Sequence, residues 1–197
     1  SMRIGAAANV VAGTIHGDSP YGVFDRVVND LKVPKTSFKA TDIIVISNPV
    51  KTPDGLHRFR RVLQITEVRK HWEKDPLNEK GFVDLMKYNP ETDQLEPTDD
   101  LINGDSEILK SIAGLKKEWT SDWNALWDNI ILRSKINQAL VDYSLKFNKP
   151  EILEAFFVVK SNDAFHKITD FVRQENEKSD TEKIFSLWNE WFKKELI

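Results

Sequence analysis

One stretch of this chain has residue types spaced for chemistry. Val10–Val28 reads VVAGTIHGDSPYGVFDRVV. The apolar run Val10–Ile15 predicts a buried strand that delivers Gly13, Thr14, Ile15 and His16 to its own C-terminal edge. That edge is where open α/β sheets bind ligands. An imidazole there can donate to, or accept from, a phosphate oxygen or an attacking water. Gly17 lets a backbone approach a ligand closely. The plainer alternative is that His16 only closes the loop after the strand.

The elements around this stretch follow from caps and periodicity. Ser19 suits an N-cap and Pro20 the first helical position. Phe24, Val27, Val28 and Leu31 keep helical spacing until Pro34, and Ser37–Ala40 adds one further turn. Asp42–Asn48 predicts a strand and Pro49–Gly55 a loop. Arg61–Val68 alternates as a strand does, and Phe82–Tyr88 with Gln94–Glu96 predicts a hairpin across Asn89-Pro90-Glu91-Thr92-Asp93. Met2–Asn9 reads as a helix end or a loop.

From Asp99 the pattern turns helical. Ser106–Lys117 and Ile131–Phe147 predict helices, and Trp119, Trp123 and Trp127 recur every four residues, as on one helix face. Asn148-Lys149-Pro150-Glu151 reads as a capping box that starts a helix, Asn162 or Asp163 as the start of another, and Ser179-Asp180-Thr181-Glu182 as the start of the last. Trp188, Trp191 and Phe192 belong to that last helix. The expected organisation is an α/β part over residues 1–98 and a helical bundle over residues 99–197.

Composition excludes several classes. The 197 residues include no cysteine, which removes disulfide frameworks, iron–sulfur clusters, cysteine nucleophiles and thiolate zinc sites. A net charge of -3 argues against a non-specific nucleic-acid binder. No apolar run approaches the ~20 residues a spanning helix needs, so no membrane insertion is expected. The start, with Arg3 followed by small residues, does not read as a signal peptide, and the expected compartment is the cytoplasm.

Ala12-Gly13-Thr14-Ile15-His16-Gly17-Asp18-Ser19 resembles the histidine box of the archaeal type II/type IV secretion ATPases, the motors of pili, archaella and secretion. Phe24–Leu31 is similar to that family's helix after the box. Thr41–Asn48 resembles its next strand, and Arg60–Val68 its return strand. The likeness is strong through Val68 and looser through the hairpin and Ser106–Ala113. It implies a partial RecA-like P-loop core with a β-hairpin elaboration, followed by an all-α helical bundle. It further implies a homo-hexamer at the cytoplasmic face of the membrane, using ATP and Mg2+ to work on a polytopic membrane platform protein. His16 would sense or orient the γ-phosphate, with Thr14, Gly17, Asp18 and Arg26 around it.

One departure is decisive for activity. A phosphate cradle needs G-x-x-x-x-G-K-[ST], and no glycine here is followed by lysine. No apolar strand ends in a paired acidic motif suited to magnesium. Both motifs precede the histidine box in the family, so the chain resembles the C-terminal portion of such an ATPase. By itself it is expected neither to bind ATP tightly nor to hydrolyse it, because phosphoryl transfer rests on the cradle, its lysine and the metal. With the neighbouring strands absent, the first third is expected to be the least stable part.

Other side chains have two readings each. Arg26 is either near nucleotide or a surface arginine beside Asp25 and Asp30. Arg58, Arg60 and Arg61 face phosphates or a neighbouring subunit, or keep a solvated strand edge from aggregating. The Trp119, Trp123 and Trp127 stripe reads as core rather than as a partner-binding face. Asp163, His166 and Asp170 read as a cap and surface positions rather than a metal cluster. The alternative function is a non-catalytic helical module that docks a membrane-complex partner.

Overall fold

A computed structural model describes residues 10–51, 54–175 and 180–196. The expected helix end or loop over residues 2–9 lies outside these residues, as does Ser179. The chain forms two compact units, Ser1–Lys116 and Lys117–Ile197. Residues 99–116 therefore belong with the first unit.

Helix α1, Pro20–Asp25, starts where the sequence signals it. Ser19 Oγ accepts from the Gly22 N–H at 3.0 Å, and Pro20 fills the first turn. A π-helical turn, Arg26–Asp30, extends it, and α2 is the single turn Lys35–Phe38. Four strands follow: β1 Ile43–Lys51, β2 Arg58–Val68, β3 Phe82–Asn89 and β4 Gln94–Pro97. They form one sheet in the order β1-β2-β3-β4, antiparallel at every step. The links over residues 52–57 and 90–93 are too short for a parallel crossover, which needs a dozen or more residues.

The buried strand expected over Val10–Ile15 does not form. The segment is irregular, with Val10 98%, Val11 48% and Ile15 38% exposed. A strand persists only as part of a ladder. Here the sheet begins at β1, and no further strand pairs with Val10–Ile15 among the described residues.

Ile44, Ile46 and Val68 of the sheet meet Val23, Phe24, Phe38 and Trp72 in the core of this unit. Phe24 packs edge-on against Phe38 at 5.2 Å and against Trp72 at 5.5 Å. Burying such rings stabilises by roughly 2 kcal/mol each. Trp72 reaches the core because the β2–β3 loop folds on itself. The Glu79 carboxylate accepts from the backbone N–H groups of Glu73, Lys74 and Asp75 at 2.8, 2.8 and 2.7 Å. Those bonds hold the Glu79 carboxyl down at about 2. Gly81 closes the loop in contact with Trp72: a Cβ added there would lie 2.5 Å from Trp72 Cδ1 and 2.6 Å from Pro76 Cβ.

Two short helices complete the unit: α3, Asp99–Ile102, capped by Thr98, and α4, Glu107–Gly114, capped by Ser106. A buried polar network fastens α4 to β2. Glu67 accepts from Ser106 Oγ at 2.6 Å and from the Glu107 N–H at 2.9 Å. Arg69 Nη1 lies 3.2 Å from Glu67 Oε1, and Arg69 Nη2 donates to Asp105 Oδ1 at 2.7 Å.

The second unit is helical: α5 Trp123–Phe147, α6 Ala155–Glu175 and α7 Thr181–Glu195. Its core joins Leu132, Ile136 and Leu140 of α5 to Phe165 and Val172 of α6 and Ile184, Trp188 and Phe192 of α7. The four-residue spacings on α5 and α7 are those of one helix face. Asp180 caps α7, accepting from the Lys183 N–H at 3.0 Å.

Three local expectations are corrected in this unit. Asn148 ends α5 in the left-handed region, φ 51°, and Pro150–Leu153 forms a 3-10 turn; α6 starts only at Ala155. Glu154 is extended at ψ 151° and so breaks the turn from α6, whose first bonds run from the Phe157 and Val158 N–H groups to the Glu154 carbonyl at 3.0 and 3.1 Å. Asn162 and Asp163 lie inside α6, whose apolar spacing continues through them. Trp119 lies in a turn before α5 and shares no helix face with Trp123 and Trp127. All three tryptophans are half-buried, and Trp123 stacks on Trp127 at 6.3 Å.

Candidate functional site

The histidine-bearing segment is an exposed run that leads into the N-terminus of α1. Thr14, His16, Gly17 and Asp18 are all exposed. Ser19 both caps the helix and donates its hydroxyl to Asp18 Oδ1 at 3.1 Å. That pins Asp18 over the first turn, where a carboxylate suits the helix dipole. Gly17 has a local reason to be glycine. A Cβ there would fall 2.7 Å from Val23 Cγ2, so its smallness serves packing against α1. The His16 ring makes no hydrogen bond with another described residue.

Arg26 projects from the π-helical turn as an exposed side chain. Its neighbour Asp25 is occupied by Asn29 Nδ2 at 2.6 Å. Arg60 and Arg61 lie next to each other on β2 and so point to opposite faces of the sheet. Arg61 has a defined structural partner. Its Nε and Nη2 form a two-pronged pair with Asp93 at 2.8 and 2.7 Å, and its guanidinium lies 4.4 Å from the Phe59 ring centre.

Tyr88 also donates to Asp93, at 2.8 Å. The bonds from Arg61 and Tyr88 hold the Asp93 carboxyl down at about 2, and the bond to Asp93 raises the Arg61 guanidinium above its ordinary value. Asp93 sits at φ 53° in the β3–β4 turn, so this pair fixes the hairpin end to β2.

Arg58 and Arg60 stand opposite Lys51 and Pro49 of β1. Directly paired residues share a face, so Lys51, Arg58 and Arg60 form one exposed basic strip. The structure thus keeps Thr14, His16, Gly17 and Asp18 together by chain continuity. It gives Arg61 to the hairpin and leaves Arg60 in the strip.

The described residues hold no group of three or more His, Cys, Asp or Glu able to bind a metal ion. Asp163, His166 and Asp170 accordingly make no such cluster. Among the described residues, no helix is long and apolar enough to cross a membrane.

The residue spacing did not single out Arg133, whose surroundings come from two helices far apart in sequence. Its only sequence signal is a lone arginine in an apolar helix pattern, which ordinarily marks a solvated face.

No protein-family model matches the chain, and no curated protein matches it either.

Proposed function

We propose that this chain is the C-terminal portion of a secretion-superfamily ATPase and supplies the histidine-bearing wall of its nucleotide pocket. One observation carries the reading. The segment beside His16 has strand-forming residues, yet it lies open, with Val10 98% and Val11 48% exposed. Exposed apolar β-branched side chains next to one another in sequence suit a sheet member whose neighbours are supplied by other polypeptide. On this reading the neighbours are the P-loop and Walker B strands of a RecA-like core, carried by polypeptide with G-x-x-x-x-G-K-[ST]. Pairing Val10–Ile15 with them sets His16 at the rim that faces the nucleotide.

The residues in named roles are His16, which orients the γ-phosphate end, and Thr14, Gly17 and Asp18, which shape the turn beneath it. Arg26 and Arg60 are exposed cations that would face a neighbouring subunit of a hexamer. ATP and Mg2+ are bound by the partner segment, and the assembly acts at the cytoplasmic face on a polytopic membrane protein. The test is reconstitution. The full chain alone is assayed for ATP turnover, then assayed again with an added polypeptide that carries G-x-x-x-x-G-K-[ST] and a Walker B strand. Turnover that appears only in the mixture, and is lost with His16→Ala, supports the reading. A mixture that associates and hydrolyses ATP equally well with His16→Ala refutes it.

A second reading is favoured by the helical unit. Phe156 at 83%, Val159 at 58% and Phe171 at 51% exposure leave α6 with a partly apolar outer surface. That suits a module that docks a membrane-complex partner. Binding of such a partner with no ATP dependence would favour it.

A further inference from the structure

Arg133 is a half-buried cation without an anion. Its Nε donates to Asn129 Oδ1 at 3.2 Å and its Nη1 to Asn162 Oδ1 at 3.2 Å, while Nη2 lies 3.3 Å from His166 Nε2. The guanidinium carbon lies 4.6 Å from the Phe165 ring centre. These neighbours are two amide oxygens, an imidazole and a π face. No carboxylate pairs with Arg133 among the described residues, whereas the other arginine of this unit, Arg173, pairs with Glu118 at 3.1 Å. Burial without compensation pushes the Arg133 guanidinium below its ordinary value. A guanidinium has five N–H donors, and these contacts use three.

The space beside it has the complementary chemistry. Arg133 lines a cleft of about 370 Å3 between α5 and α6, together with Ile136, Asn137, Val158, Ser161 and Phe165. That volume is at the small end of ligand pockets. Ser161 is 2% exposed; its Oγ accepts from Trp188 Nε1 at 3.2 Å, and its own O–H has no acceptor among the described residues. The Asn137 amide likewise has no partner among them. One cation, a buried hydroxyl and an exposed amide thus line the same cleft as aliphatic and aromatic side chains.

We propose that this cleft binds a carboxylate carried on an apolar body, held by Arg133 and oriented by Ser161 and Asn137. A single guanidinium and apolar walls suit a monoanion with a hydrocarbon neighbour better than a phosphate dianion, which draws a second cation. The carboxylate comes either from a small acyl acid or from a Glu flanked by leucines on a partner peptide. The site is independent of the ATPase reading.

The test uses the full-length chain labelled with 15N. Hexanoate, hexanol, inorganic phosphate and the blocked peptide acetyl-Leu-Glu-Leu-amide are titrated separately. The reporters are the Trp188 indole and Arg133 Nε–H resonances. Either carboxylate is expected to shift both saturably, with hexanol and phosphate at least about tenfold weaker, the scale of one charge-assisted hydrogen bond. The tighter of hexanoate and peptide identifies the source. Arg133→Gln should lose about tenfold in affinity while the unliganded Trp188 resonance stays in place.

Hexanol or phosphate binding as tightly as hexanoate overturns the proposal. So do unchanged affinity in Arg133→Gln and the absence of shifts with both carboxylates at about 10 mM, far above an expected sub-millimolar to millimolar Kd. If Arg133→Gln does not fold, the four-ligand comparison on the unaltered chain decides.

Discussion

Arg69→Met tests whether the buried polar network holds the first unit together. Arg69 is 5% exposed at its side chain and Glu67 is 1% exposed, so neither charge is solvated. Asp105 and Glu107, the other carboxylates on Arg69, are 58% and 59% exposed and stay hydrated without it. Removing the guanidinium therefore strands one carboxylate, Glu67. Breaking a buried pair costs about 3–5 kcal/mol. The low end, about 3 kcal/mol, applies because Ser106 Oγ and the Glu107 N–H still donate to Glu67.

For a unit of this size that is a fall of roughly 10–15 °C in Tm. Urea denaturation followed by amide resonances of β2 and α4 isolates this unit from the helical one. The double variant Glu67→Leu, Arg69→Met removes both charges and should be more stable than Arg69→Met alone. A cost below about 1 kcal/mol for Arg69→Met refutes the reasoning. So does a double variant as unstable as the sum of its singles.

Gly81→Ala should destabilise the first unit by about 1–3 kcal/mol, since the new methyl meets Trp72 and Pro76 at 2.5 and 2.6 Å; an unchanged urea midpoint would refute the overlap. Trp72 Nε1 is buried without an acceptor, whereas Trp188 Nε1 donates to Ser161. Trp72→Phe should therefore cost its unit about 1 kcal/mol less than Trp188→Phe costs the other, read from separate unfolding curves. Glu79 is lowered from 4.5 to about 2 by its three backbone donors. Its contribution to stability is thus complete above pH 4.5, declines as pH falls, and is gone below about 2. The amide shifts of Glu73, Lys74 and Asp75 should step near pH 2 and show no step in Glu79→Gln; a midpoint near 4.5 would contradict the loop geometry.

Signals that act within a few residues were legible in the chain. Ser19 with Pro20 starts α1, because a cap is satisfied by an N–H two or three positions on, and the start of α7 was legible to within a residue: its cap is Asp180, inside the expected box Ser179–Glu182. The alternation in β2 and the polar turn after β3 likewise announced their strands, and Ile184, Trp188 and Phe192 share a face by spacing alone. The resemblance at Ala12–Ser19 also comes from local order of residues, and so it names a candidate histidine without saying what faces it.

The tertiary structure decided everything that needs a distant partner. Val10–Ile15 has the composition of a buried strand but pairs with no strand among the described residues, and Val10, Val11 and Ile15 lie exposed. Arg60 and Arg61 look equivalent in the sequence, yet only Arg61 meets the turn residue Asp93, 32 positions away. The Glu67–Arg69 network and the Arg133 cleft likewise arise from helices brought against β2 or against each other. Propensity and capping are set by neighbours along the chain. Desolvation, ion pairing and strand pairing depend on which groups the folded chain brings within a few ångströms, and residue order alone does not determine that.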